Sequence, residues 1–150
     1  MEELSLSRII NPEGSGKERT RLSKEVVLSI RELMRQAEPD AQSRDLAAFI
    51  ALALNEISKT IETSVVAWEK RGYWVKADRF RMDWAWAEKL GHAMQVALFA
   101  ENWTDVAMTS MQIAQKLMSI QIPVHHRLGT PWVGAWEALK KNSSNSRPGN

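Results

Sequence analysis

The residues best placed to do chemistry in this 150-residue chain are aromatic and basic side chains that alternate between Trp68 and Arg81. The run Trp68-Glu69-Lys70-Arg71-Gly72-Tyr73-Trp74-Val75-Lys76-Ala77-Asp78-Arg79-Phe80-Arg81 sets five cations against two acids. Single-stranded nucleic acid is bound by this kind of mixture, with bases stacked on rings and Lys and Arg following the phosphates. The competing reading is that Trp68 and Phe80 face a core and the cations form a solvated rim. A second basic group, Lys17, Arg19 and Arg21, crowds an expected helix start, where the macrodipole favours anions over cations. There a phosphate-like partner would meet free backbone N–H groups as well as these side chains. Against that, Glu18, and Glu25 four residues after Arg21, are placed to neutralise them. Gly14-Ser15-Gly16-Lys17 is not a phosphate loop, because the glycines are two apart, Glu18 follows the lysine and no strand precedes it.

Other chemistry is thinly represented. The sequence has no cysteine, which excludes disulfides, thiolate metal sites and cysteine nucleophiles. Glu88 and His92 are four apart on the outer face of an expected helix, and His125 and His126 are adjacent in an expected loop. Neither pair comes with the further inward carboxylates that a helical metal centre needs. No nucleophile or oriented partner accompanies the histidines, and none follows an arginine at the Arg-x(4–6)-His spacing of helical ribonucleases. No cofactor, no metal and no catalytic residue is therefore expected, and a small-molecule binding protein or an enzyme using His125 or His126 stands as a third reading.

Positioning these residues falls to helices. Leu22, Val26, Ile30, Leu33 and Ala37 share one face of a helix predicted over 18–37, which Pro39 ends. Asp40 caps a second helix over 41–71, whose seam is Leu46, Ile50, Ala53, Ile57, Ile61, Ser64 and Trp68, and Gly72 stops it. A third, over 75–100, carries Phe80, Trp84, Ala87, Gly91, Met94 and Leu98, with Asp83 expected inward beside an arginine such as Arg79. Asn102 caps a fourth, over 103–120, with Val106, Ser110, Ile113, Ala114 and Leu117 inward and Met108, Met111 and Met118 as adaptable packing. No alternating run reads as a strand. The three connections are short, so the expected architecture is all-α: an up-down-up-down four-helix bundle with a long central hairpin. Residues 1–17 read as an N-terminal arm, 18–139 as the bundle domain with a short Trp-bearing C-terminal segment, and 140–150 as a disordered tail.

At 1.5 Å per residue the second and third helices span roughly 46 and 39 Å, against about 27–30 Å for the others. The hairpin is thus expected to overhang at Gly72, where the N-terminal arm, Tyr73, Trp74 and residues 123–139 would converge. Charge is blocked rather than uniform: the net +2 includes +3 over 69–81 and +3 over 122–150. Trp84 and Trp86, two apart, should point away from one another, which leaves Trp86 in need of cover from another helix, the tail or a second chain.

The function these features suggest is that of a non-enzymatic helical subunit or adaptor. Its basic, aromatic end would contact nucleic acid or a nucleoprotein assembly through Lys17, Arg19, Arg21, Arg71, Tyr73, Trp74, Lys76, Arg79, Arg81 and Arg127. The alternative is a homo-oligomeric protein–protein scaffold that buries Trp86 and Trp132 against another chain. The N-terminus has neither a basic n-region nor an apolar h-region, and no stretch reaches the ~18 apolar residues of a membrane span. No membrane partner and a cytoplasmic location are the expectations.

Overall fold

A computed structural model describes residues 12–145. They form five helices and no strand: α1 (Pro12–Met34), α2 (Ala41–Lys70), α3 (Trp74–Phe99), α4 (Trp103–Lys116) and α5 (Ala135–Asn145). The all-α class is as the periodicity predicts, but the arrangement has a fifth helix and is organised around α2. α1, α3 and α5 all pack on α2, whereas α4 packs chiefly on α3 and touches α1 only slightly. A helix with neighbours on three sides must be apolar nearly all round. Accordingly every residue from Leu46 to Leu54 is buried, four of them alanines that let the neighbouring backbones come close.

The ends of the helices follow local chemistry. Asp40 Oδ1 accepts the Ser43 N–H at 2.9 Å and caps α2 as expected. That bond lowers the Asp40 pKa, because it favours the carboxylate form. At the other end Gly72 adopts φ 83°, its N–H donates to Glu69 O, and the Tyr73 N–H donates to Trp68 O. These two bonds are a Schellman motif, and the left-handed residue it needs is the glycine. The α3–α4 corner repeats the motif through Glu101 (φ 54°), after which Asn102 Oδ1 accepts the Asp105 N–H.

Several boundaries depart from the sequence pattern: α1 and α4 stop at Met34 and Lys116, short of 37 and 120, and the start of α1 and the end of α5 shift further. α1 begins at Pro12, so residues 12–17 are helical rather than an arm, and the arm's residues 1–11 lie outside the described residues. Lys17, Arg19 and Arg21 sit one to three turns inside the helix instead of at its start, away from the free N–H groups expected there. Proline is well suited to a first turn, and the helical cost of Gly14 and Gly16 is met by tertiary bonding: buried Ser15 Oγ lies 2.9 Å from Ser64 Oγ of α2. α5 extends to Asn145, into the stretch expected to be disordered, because Ala135 and Leu139 bury their side chains in the core.

The larger correction concerns where the C-terminal segment goes. Asp45, in the first turns of α2, accepts the Trp136 N–H at 2.9 Å and the Gly134 N–H at 3.3 Å. Trp136 also packs against Phe99 at the end of α3. The start of α5 therefore lies at the end of the molecule opposite Gly72, and Trp132 and Trp136 do not join Tyr73 and Trp74. α4 has only 14 residues, and the connection over 117–134 is long enough to carry the chain back.

Because Asp45 satisfies amides at the start of α5 from another helix, the Asp45→Ala variant should lose about 1–2 kcal/mol of stability. Hydrogen exchange should accelerate first over residues 132–143 while α1–α3 keep their protection. Uniform acceleration would contradict this role for Asp45.

Candidate functional site

The Gly72 end is built from the start of α1, the last turns of α2 and the first turns of α3. Inside it lies a chain of ring contacts. Trp68 and Phe80 meet edge to face at 4.9 Å, Phe80 lies 6.4 Å from Trp84, and Trp84 stacks on Trp86 at 5.5 Å with 26° between planes. The last contact overturns the expectation that Trp84 and Trp86 diverge. Their Cα–Cβ bonds leave the helix in different directions, but indoles are long enough to meet beyond them. Trp86 is thus half-buried within its own chain. Trp132, the other residue assigned to an interface, is 7 % exposed and belongs to the core, so no second chain is needed to cover it.

The ten residues assigned to an anionic partner separate into two groups. Arg19 is engaged inside the fold: its guanidinium sits 4.8 Å from the Phe80 centroid and 6.0 Å from that of Trp84, and Nη1 donates to Thr60 Oγ1 at 3.2 Å. Burial lowers its pKa, since the charged form loses water there. Arg21 donates to both carboxylate oxygens of Glu25, at 2.9 and 3.0 Å, and also pairs with Glu18. Burial works against its charge, yet the two carboxylates outweigh it and the pKa rises. Arg81 is shared among Glu62, Glu69 and Asp78 at 3.3–3.6 Å, and the hydrogen bond to Glu62 does most to raise its pKa. Arg19, Arg21 and Arg81 are thus committed to groups of this chain.

The remaining residues face solvent. Trp74 is 60 % and Tyr73 52 % exposed, and Lys17, Arg71, Lys76 and Arg79 are exposed as well. Lys76 Nζ lies 4.4 Å from the centroid of the Trp68 ring, which holds that ammonium beside the aromatic cluster. A shallow depression of about 560 Å³ opens over Gly72–Lys76. Arg127 is exposed in the connection that ends at Asp45. Asp83, expected inward, is also exposed, so it needs no buried arginine.

Sequence reasoning missed two features. Tyr73 occupies the N-cap position of α3 but makes no side-chain capping bond, and the first turn contains no acid. The absence of Ser, Thr, Asp or Asn before Trp74 was the available signal. The second feature is two buried carboxylates, one on α1 and one on α2. Glu25 is 6 % and Glu56 7 % exposed, with Lys59 Nζ 2.9 Å from Glu56. Burial raises both pKa values, opposed by Arg21 at Glu25 and by Lys59 at Glu56. Position 56 falls three residues after Ala53 on the α2 seam, which is the pattern that could have flagged it.

Glu88 and His92 are both exposed, and no group of three or more His, Cys, Asp or Glu side chains able to hold a metal occurs among the described residues. His126 Nδ1 accepts the Leu128 N–H at 3.1 Å, a local loop bond. No helix among the described residues is long and apolar enough to cross a membrane. No protein-family model matches the chain, and no curated protein or solved structure is significantly similar to it.

These two buried carboxyls set a pH dependence with a definite sign. A carboxyl whose pKa is raised on folding binds its proton more tightly in the folded state, so its stabilising contribution is lost as pH rises through the folded pKa. Asp40, with a lowered pKa, acts oppositely and in a lower range. The contribution of Glu25 and Glu56 to the melting temperature should therefore decline as pH rises above about 4.5. The Glu56→Gln variant should flatten that decline and melt about 1–3 °C higher at pH 7. A steeper decline, or a lower melting point at pH 7, would show that the ion pair with Lys59 outweighs desolvation.

Proposed function

We propose that the Gly72 end is a docking point for single-stranded nucleic acid and that the protein works as a small non-enzymatic subunit or adaptor. The observation that carries this reading is the exposure of two adjacent rings, Tyr73 and Trp74, beside Lys70, Arg71, Lys76 and Arg79, all themselves exposed. Buried aromatics would have pointed to packing alone, and exposed cations alone to an ordinary solvated face. Together they supply stacking surfaces and phosphate neutralisation at one place. The uncapped start of α3 adds backbone N–H groups at the positive end of a 26-residue helix. Lys17 extends the basic edge from the first turns of α1, whereas Arg19, Arg21 and Arg81 support the platform instead of contacting the ligand.

The smaller cation set fixes the expected behaviour. With about four phosphates neutralised, log K should fall against log salt with a slope of about −3. Fluorescence anisotropy with a labelled oligothymidine at low salt should show saturable binding. Trp74→Ala should weaken it by roughly 5- to 100-fold, the range expected for one stacked base, and leave the slope unchanged. Arg71→Gln should reduce the slope by about 0.7. Absence of binding at low salt, or binding indifferent to Trp74→Ala, would refute this function.

A second reading, self-association as a scaffold, draws on Met82 of α3 and on Met108, Met111 and Met118, which are 56–80 % exposed and so do not serve as the packing expected of the last three. Its measure is a concentration-dependent mass in light scattering that Met111→Lys abolishes.

A further inference from the structure

Away from the Gly72 end, α2, α3 and the last turns of α5 enclose a separate cleft of about 320 Å³. It arises from side-chain size. Gly91 allows α3 to approach α2 so closely that a Cβ there would lie 3.0 Å from Leu54 Cβ and 3.9 Å from the Asn55 backbone nitrogen. α5 fills the groove between them with buried Leu139. One turn later it offers only the short polar side chains of Asn142 and Ser143, and the groove opens.

The lining divides by chemistry. Leu52, Gly91 and Leu139 provide an apolar floor, and around it stand three primary carboxamides, Asn55, Gln95 and Asn142, one from each helix. Glu88 and His92, a turn apart on α3, complete one wall. Among the described residues no lysine or arginine lines the cleft, and Glu88 contributes a carboxylate.

Each feature narrows the ligand. A phosphate or carboxylate would meet Glu88 with no cation to compensate. A purely apolar molecule would cover three amides without pairing them, and each polar group so desolvated and left without a partner weakens binding. The volume sits at the lower end of the range for small-molecule sites, which suits one or two fused rings and excludes a peptide. A carboxamide presents an N–H donor beside a carbonyl acceptor, the complement of the donor–acceptor edge of an amino-heterocycle, as when Asn or Gln pairs with adenine.

We propose that this cleft binds a neutral or singly cationic amino-substituted heteroaromatic of nucleobase size, its edge read by Asn55, Gln95 and Asn142 and its ring face on Leu52 and Leu139. Glu88 accepts from the exocyclic amine. The site shares no residue with the Gly72 end, so the two stand or fall separately.

Titration calorimetry of the full chain with free adenine and free cytosine tests the assignment. Saturable binding of either base is expected, with benzoate, flat but anionic, at least about tenfold weaker. Gln95→Leu and Asn142→Leu, at half-buried and exposed positions, should each weaken base binding about tenfold without lowering the melting temperature. Trp74→Ala should leave it unchanged. The proposal is overturned if neither base binds up to about 10 mM, if benzoate binds equally well, or if both leucine variants keep full affinity.

Discussion

The constraint on which the rest depends is the burial of α2 along consecutive residues. Nine in a row, Leu46–Leu54, are covered, so neighbours must stand on several sides of the helix at once. Burying that surface is the main favourable contribution available, at about 25 cal/mol per Å² of apolar area. It explains why α5 packs on α2 despite its polar composition: without α5 one flank of α2 would remain open. It also explains the Gly91 contact, since two long helices of a hairpin approach to backbone distance only where a side chain is missing.

Electrostatics then decides which charges are available for a partner. Three arginines near the Gly72 end look alike in the sequence, yet their surroundings differ. Arg21 is bound within one turn by Glu18 and Glu25, Arg81 gathers carboxylates from α2 and α3, and Arg19 lies over two rings. Exposed ion pairs of the Arg81 kind contribute little to stability, about 0–1 kcal/mol. Their larger effect is on potential, because a guanidinium surrounded by three carboxylates no longer attracts anions from solution. The basic character of the end therefore contracts toward Arg71, Lys76 and Arg79, beside the exposed rings.

What could be read from the sequence was whatever depended on neighbours a few residues away. The caps at Asp40, Gly72 and Asn102, the start of α2 and the inward stripes of α2 and α4 follow from spacing and are present, as is the α1 stripe from Leu22 to Leu33, whereas Ala37 lies exposed beyond the helix. So was the alternative that Glu18 and Glu25 neutralise Arg21. What failed depended on partners far away in the chain. The early start of α1 rests on a hydroxyl pair 49 residues apart, and the position of α5 on hydrogen bonds spanning 89 and 91 residues. Periodicity carries no information about such contacts. The Trp84–Trp86 stack failed for another reason: helical geometry gives the direction of Cβ, not where a large ring comes to rest.

The two surface rings and the buried ones are also mechanically related. Tyr73 and Trp74 sit at a helix–helix corner closed by a Schellman motif, in which the Tyr73 N–H donates to the carbonyl of Trp68, the residue whose ring meets Phe80. Arg19 joins α1 to that contact from the side, so all three helices hold the base of the corner. Rings carried on a mobile loop would lose conformational freedom on binding, at roughly 0.5–1.5 kcal/mol for each side chain immobilised and more for the backbone. A corner anchored by interlocked aromatics has already lost most of its backbone freedom on folding. If Trp74 stacks on a base as proposed, the half-buried ring cluster, which joins α2 to α3 just inside the corner, would limit the backbone freedom that such binding has to remove.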